Sequence, residues 1–70
     1  MRTSYNKLWK LLIDRNMMKK DLAEKAGISS ASISKLRRNE NVNTDILVKI
    51  CAALECDISD IVEIVEDVSA

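Results

Sequence analysis

Apolar residues recur at the spacing of one helix face along most of the chain, and they divide it into five short segments. The first segment, Ser4–Arg15, has apolar side chains around more than half of a helix surface, which is wider than an ordinary amphipathic stripe. We therefore expect one edge of this helix, around Trp9, to face a partner molecule. The apolar residues are Tyr5, Leu8, Trp9, Leu11, Leu12 and Ile13.

The second segment, Lys19–Lys25, turns Leu22, Ala23 and Ala26 inward and ends directly before Gly27. Glycine is the residue expected in the left-handed conformation after a helix end. We also expect a side chain at this position to clash where the backbone reverses.

A third helix begins near Ser30, because Ser29 is a favourable N-cap and Ile33 and Leu36 then lie on one inward face. Asn39 can adopt the left-handed conformation that ends this helix. The short turn at 26–29 between two helices predicts a helix-turn-helix.

The fourth segment is the most apolar, with Asn43 or Thr44 as its cap. Asp57 and Asp60 then resemble a capping box, which predicts a fifth short helix through Val65, followed by frayed residues 66–70. The inward residues of these two segments are Leu47, Ile50, Cys51, Leu54, Ile58, Ile61, Val62 and Val65.

With 70 residues, 47% of them hydrophobic, one glycine and no proline, the chain is expected to form one all-α domain over 1–70, a compact five-helix bundle with an ordered core over about 4–65. It has neither a membrane-spanning apolar run nor a signal-peptide region, so we predict a soluble, cytoplasmic protein.

The net charge of zero hides a strong segregation. Residues 1–38 carry ten basic against three acidic side chains, a balance of +7, and residues 39–70 carry one against eight, a balance of −7. The basic half is suited to face phosphates, although segregated charges can also be a by-product of helix surfaces.

Catalytic and metal chemistry find little support. The chain has no histidine, which removes the commonest general base, and its two cysteines, Cys51 and Cys56, are too few for a zinc site. Both cysteines are interpreted as small apolar core residues. We predict no enzyme activity, no cofactor and no metal.

The outer face of the third helix carries the candidate chemistry. Short or hydrogen-bonding side chains at its N-terminal end suit base edges in the major groove: Ser can pair with several bases, Ala can contact a thymine methyl, and Lys favours guanine. The candidate base contacts are Ser30, Ala31, Ser34 and Lys35. The candidate phosphate contacts are Lys19, Lys20, Ser32, Arg37 and Arg38. A solvated serine-rich face is the alternative interpretation.

The stretch LAEKAGISSASISKL resembles the helix-turn-helix of the Cro/CI-like (XRE) regulator family, and KICAALECDISDIV resembles the last two helices of that family. The resemblance implies a lambda-repressor-like bundle of five helices that binds operator DNA as a homodimer. It places base contacts at the same four residues and a phosphate contact at Lys19, where the family generally has Gln.

Other departures from the family pattern are Met18 for a polar cap, Asn39 for Gly, and Glu40 for a frequent basic residue, which should weaken phosphate binding nearby. Many members also pair an Arg with a Glu at the positions of Leu12 and Arg37. Because both partners are replaced, Arg37 is free to point toward DNA.

The leading function is therefore a sequence-specific double-stranded DNA-binding transcriptional regulator, a repressor that occludes a promoter, with no small-molecule effector evident. The alternative is an antitoxin-like or adaptor module that uses the same fold to bind a protein. The expected dimer or partner surface is formed by Trp9, Ile61, Val62, Ile64, Val65 and Val68. The alternative is that Ile61, Val62 and Val65 simply close the core.

Overall fold

The computed structural model describes residues 1–66. These form four α-helices: α1 (Asn6–Asp14), α2 (Lys19–Ala26), α3 (Ser30–Arg37) and α4 (Thr44–Leu54). A 3₁₀ turn (Ile58–Asp60) follows α4, and two short strands, β1 (Arg2–Ser4) and β2 (Glu63–Val65), pair with each other. No helix of this part of the chain is both long and apolar enough to cross a membrane.

The prediction of a fifth helix was wrong. Asp57 and Asp60 do form the reciprocal cap, with the Asp57 N–H donating to Asp60 Oδ2 at 2.9 Å, but the cap starts only the 3₁₀ turn. The chain then extends, because β2 pairs antiparallel with β1, Thr3 opposite Ile64. The Ile- and Val-rich segment suits a strand, and its pairing partner lies about sixty residues away in sequence, beyond any local pattern.

The strand pair also moves the start of the first helix from Ser4 to Asn6. Ser4 is buried at the end of β1, and its hydroxyl accepts the Asn6 N–H at 3.3 Å. Next to it, the Tyr5 N–H donates to Asn39 Oδ1 at 3.1 Å, and the Tyr5 hydroxyl donates to the Glu40 carbonyl. These bonds tie the beginning of α1 to the end of α3.

The core lies where all four helices and the 3₁₀ turn meet. α2 packs against both α3 and α4, and α1 and α4 close over the 3₁₀ turn. Each helix contributes at least one large aliphatic side chain that is completely buried, and Ile61 is completely buried as well. This burial removes apolar area from water and stabilises the fold. The completely buried residues are Leu8, Leu22, Leu36, Ile50, Leu54 and Ile61.

All four helices end in the same way. A residue with positive φ follows each helix, and the N–H of the next residue donates back to a carbonyl five residues earlier, as in a Schellman motif. Gly27 and Asn39 were predicted in this role, and Asn16 and Glu55 complete the set. The donor–acceptor pairs are Met17–Leu12, Ile28–Ala23, Glu40–Lys35 and Cys56–Cys51.

The reason for glycine at position 27 differs from the expected clash. A Cβ there would meet no atom within 4 Å, but φ is +69°, a conformation that costs other L-residues energy. We expect Gly27→Ala to lower the free energy of unfolding by about 1–2 kcal/mol, measured by urea denaturation. Gly27→Asn is the matched control and should lose less, because Asn tolerates this conformation. Equal stability of the alanine variant and the wild type would contradict this explanation.

Candidate nucleic-acid interface

The two helices of the helix-turn-helix are α2 and α3, joined by the turn at Gly27. Ser29 is the N-cap of α3, as predicted, and its hydroxyl accepts the Ser32 N–H at 3.2 Å. Ile33 and Leu36 are buried against the bundle. This anchoring fixes which face of α3 points outward.

The outward face of α3 holds the predicted base contacts. Ser30, Ala31 and Lys35 are exposed, and Ser34 is half-buried beside them. Ser30 and Ala31 form the first turn, so short side chains surround the end of the helix that would meet base edges. The structure thus brings these four residues together on one surface. Among the described residues, no other element covers Lys35.

Ser32 occupies a different environment from the other candidates. It is half-buried, its N–H is bound by Ser29, and the two hydroxyl oxygens lie 3.2 Å apart. Its main local role is to complete the cap of α3. A phosphate contact from Ser32 would have to use the remaining capacity of a hydroxyl that Ser29 already engages.

Lys19, at the first position of α2, is exposed and lies over Trp9 of α1, with 5.0 Å between its ammonium nitrogen and the centroid of the ring. Cation–π attraction of this kind limits where the ammonium can go. Trp9 therefore helps to hold the Lys19 side chain in place. From the sequence, Trp9 is expected to belong to a partner surface, and this contact is not predicted. Lys20 is exposed next to it.

Arg37 and Arg38 are both exposed at the end of α3, but their surroundings differ. Arg38 Nε donates to Glu40 Oε2 in an ion pair. Arg37 is exposed, and Leu12, which stands at the other position of the ion pair implied by the resemblance, is buried. Glu40 thus engages Arg38, while Arg37 is exposed to solvent.

Two other basic residues serve the fold. Lys7 Nζ donates to the Ser59 carbonyl at 2.7 Å, and Arg15 Nη1 donates to the Leu54 carbonyl at the end of α4. Cations at a helix C-terminus stabilise it through the helix dipole. Part of the +7 charge of residues 1–38 therefore binds backbone carbonyls of the acidic half.

The expected dimer or partner surface is only partly exposed. Ile61 is completely buried in the core, so we correct its assignment to that surface. Ile64 is 62% exposed, Val62 and Val65 are half-buried, and Val68 lies outside the described residues. The remaining apolar surface at this end is centred on Ile64 of β2.

Comparisons with known proteins agree with this geometry. The family model described as the Cro/C1-type HTH DNA-binding domain matches residues 7–67. The chain is also similar to the transcriptional regulator VanUg, whose crystal structure superposes with a TM-score of 0.85 at 55% sequence identity, covering 89% of this chain and 83% of that one. A comparison with curated proteins gave no significant match.

The fold and the outward face of α3 define a helix-turn-helix DNA-binding protein of the transcription-regulator class. The chain belongs to the family of Cro/C1-type helix-turn-helix DNA-binding domains. This confirms the resemblance drawn from the sequence, while the residues that contact DNA remain a prediction.

Proposed function

We propose that this chain is a sequence-specific repressor that inserts α3 into the major groove of operator DNA and occludes a promoter. The observation that carries the proposal is the division of α3 into a buried face, Ile33 and Leu36, and an exposed face of small and hydrogen-bonding side chains. A major groove about 12 Å wide admits a helix presented in this way.

The proposed DNA contacts fall into two groups, those to bases and those to phosphates. Ser30, Ala31, Ser34 and Lys35 contact base edges, and Lys35 has the strongest preference because its ammonium can donate to guanine O6 and N7. Lys19, Lys20, Arg37 and Arg38 contact phosphates on either side, which sets the position of α3 without reading sequence.

Binding as a homodimer is part of the proposal. Ile64 is exposed on β2, and an exposed apolar residue on a short strand is suited to contact a second copy. Two copies related by a two-fold axis would read half-sites about one helical turn apart.

A salt titration tests DNA binding and the role of Lys19 together. Affinity for duplex DNA should fall linearly with salt on a log–log plot, with a slope of about −0.9 for each phosphate contacted. Lys19→Gln should reduce that slope by about 0.9 on every sequence tested, since it removes one such contact. Lys49→Gln, at an exposed position of α4, is the control and should leave the slope unchanged.

The same titration addresses the alternative function. An antitoxin-like or adaptor module is favoured by a surface cleft beside Lys19, lined by Trp9, Leu12, Met17 and the exposed side chains of Ile13 and Met18. Failure to bind any duplex at low salt would overturn the DNA-binding proposal and favour this alternative.

Glu40 gives a prediction of opposite sign. Because Glu40 holds Arg38 and adds a negative charge beside α3, Glu40→Gln should tighten DNA binding, by roughly 2–5-fold for a surface ion pair worth up to about 1 kcal/mol. Fluorescence anisotropy with a labelled duplex measures the change. Glu63→Gln removes the same charge from exposed β2 and serves as control. Equal effects of both substitutions would mean that net charge alone, and not release of Arg38, sets the affinity.

A further inference from the structure

Cys51 and Cys56 pack against the hydrophobic core, as the sequence predicts, but at its edge. Both are free thiols and both are only half-buried. They line one surface cleft between the end of α4 and the 3₁₀ turn, together with Val48, Ala52 and Ile58. Solvent and solutes therefore reach both cysteines from the same side.

The helix end brings the two side chains together. Glu55 adopts a φ of 51°, and the Cys56 N–H donates to the Cys51 carbonyl at 3.1 Å. In this motif the side chains at these two positions are neighbours. Cys51 and Cys56 are therefore neighbours that open on one cleft.

The equivalent positions at the ends of α1 and α2 show what the motif does without chemistry. There the pairs are Leu12 with Met17 and Ala23 with Ile28, apolar side chains that pack on the core as the two cysteines also do. A pair of apolar residues would serve the end of α4 equally well. A pair of thiols adds two soft ligands on an open cleft.

The cleft that the two thiols share is lined by carboxylates, which favour a cation: Glu55, Asp57 and Asp60. Basic side chains, among them Lys7 and Arg15, line the neighbouring cleft, which reaches Cys56 but not Cys51. A cation that replaces the thiol protons is attracted by these carboxylates, whereas an anion is repelled.

We propose that Cys51 and Cys56 form a two-thiolate site for a soft monovalent metal ion of the Cu(I) type. Thiolates select soft ions, whereas structural zinc requires four ligands. The chain has no histidine, and residues 1–66 contain no group of three or more potential metal-ligating side chains. On binding, each thiol releases its proton to solvent and each sulfur donates one electron pair to the metal, so no oxidant or reductant is needed.

The test is an anaerobic titration of the full chain with Cu(I) held by a competing coloured chelator, whose loss of colour reports metal transfer. We expect one ion per chain by native mass spectrometry, in monomer and dimer alike. Cys51→Ser and Cys56→Ser should each weaken binding by roughly 100-fold or more, because each leaves a single ligand and loses the benefit of two linked ones. Circular dichroism confirms that both variants remain folded.

The control is Met18→Leu, which removes an exposed thioether that lines a different cleft and should leave Cu(I) affinity unchanged. Binding that survives in either cysteine variant would overturn the proposal, as would one ion bridging two chains. Equal affinity for Zn²⁺ would overturn the assignment to a soft monovalent ion. None of these results depends on DNA binding.

Discussion

Replacing Leu36 with alanine is expected to lower the free energy of unfolding by about 2–5 kcal/mol. Leu36 is completely buried beneath the outward face of α3, so its removal leaves a cavity at the contact that anchors this helix. A domain of this size has a total stability of only about 4–10 kcal/mol. The substitution should therefore leave a measurable fraction of the chain unfolded and reduce the concentration competent to bind DNA.

Urea denaturation followed by far-UV circular dichroism measures this loss. Val48→Ala is the control: Val48 is 58% exposed on α4, and its truncation should change stability by no more than about 0.5 kcal/mol. A loss at Leu36 as small as the loss at Val48 would contradict the anchoring of α3 described above.

Replacing Lys35 with alanine is the second large effect, and it concerns recognition instead of stability. Lys35 is exposed on α3, so the fold should be unaffected. Loss of a donor to guanine should cost roughly 1–3 kcal/mol on the preferred duplex and relax the preference at one base pair. The measurement compares wild-type and variant affinities for a set of duplexes that differ at one base pair each.

Lys19→Ala provides the contrast, because a phosphate anchor contributes equally on all sequences. We expect its loss of affinity to be uniform across the set. If Lys35→Ala and Lys19→Ala gave parallel losses on every duplex, the division into base readers and phosphate anchors would be wrong.

The parts of the fold that the sequence predicted well depend on local chemistry. Gly27 and Asn39 end helices because few residues adopt a positive φ readily, and Ser29 and Asn43 begin them because their side chains accept a backbone N–H nearby. Such requirements involve neighbours in sequence, so the residue type alone indicates them.

The parts that were missed depend on distant partners. β1 consists of three residues without a recognisable period, and β2 was assigned to a helix because Ile58, Ile61, Val62 and Val65 also fit helical spacing. The pairing of β2 with β1, for example Ile64 with Thr3, is what favours a strand over a helix here.

The same distinction applies to the candidate site. The exposure of Ser30, Ala31 and Lys35 followed from the inward positions of Ile33 and Leu36, which the helical period gives directly. The stacking of Lys19 on Trp9 joins two helices and left no pattern in the sequence. The ion pair of Arg38 with Glu40 had one signal, an acidic residue two positions beyond a basic one, which was interpreted only as a local repulsion of phosphate.

Methylation interference shows whether α3 contacts base edges in the major groove. A duplex selected from a random pool is partially methylated at guanine N7, which lies in the major groove, or at adenine N3, which lies in the minor groove. We predict that guanine N7 methylation blocks binding at positions within two half-sites about one helical turn apart. Interference from adenine N3 methylation alone, with guanine N7 methylation tolerated throughout the site, would contradict major-groove recognition by α3.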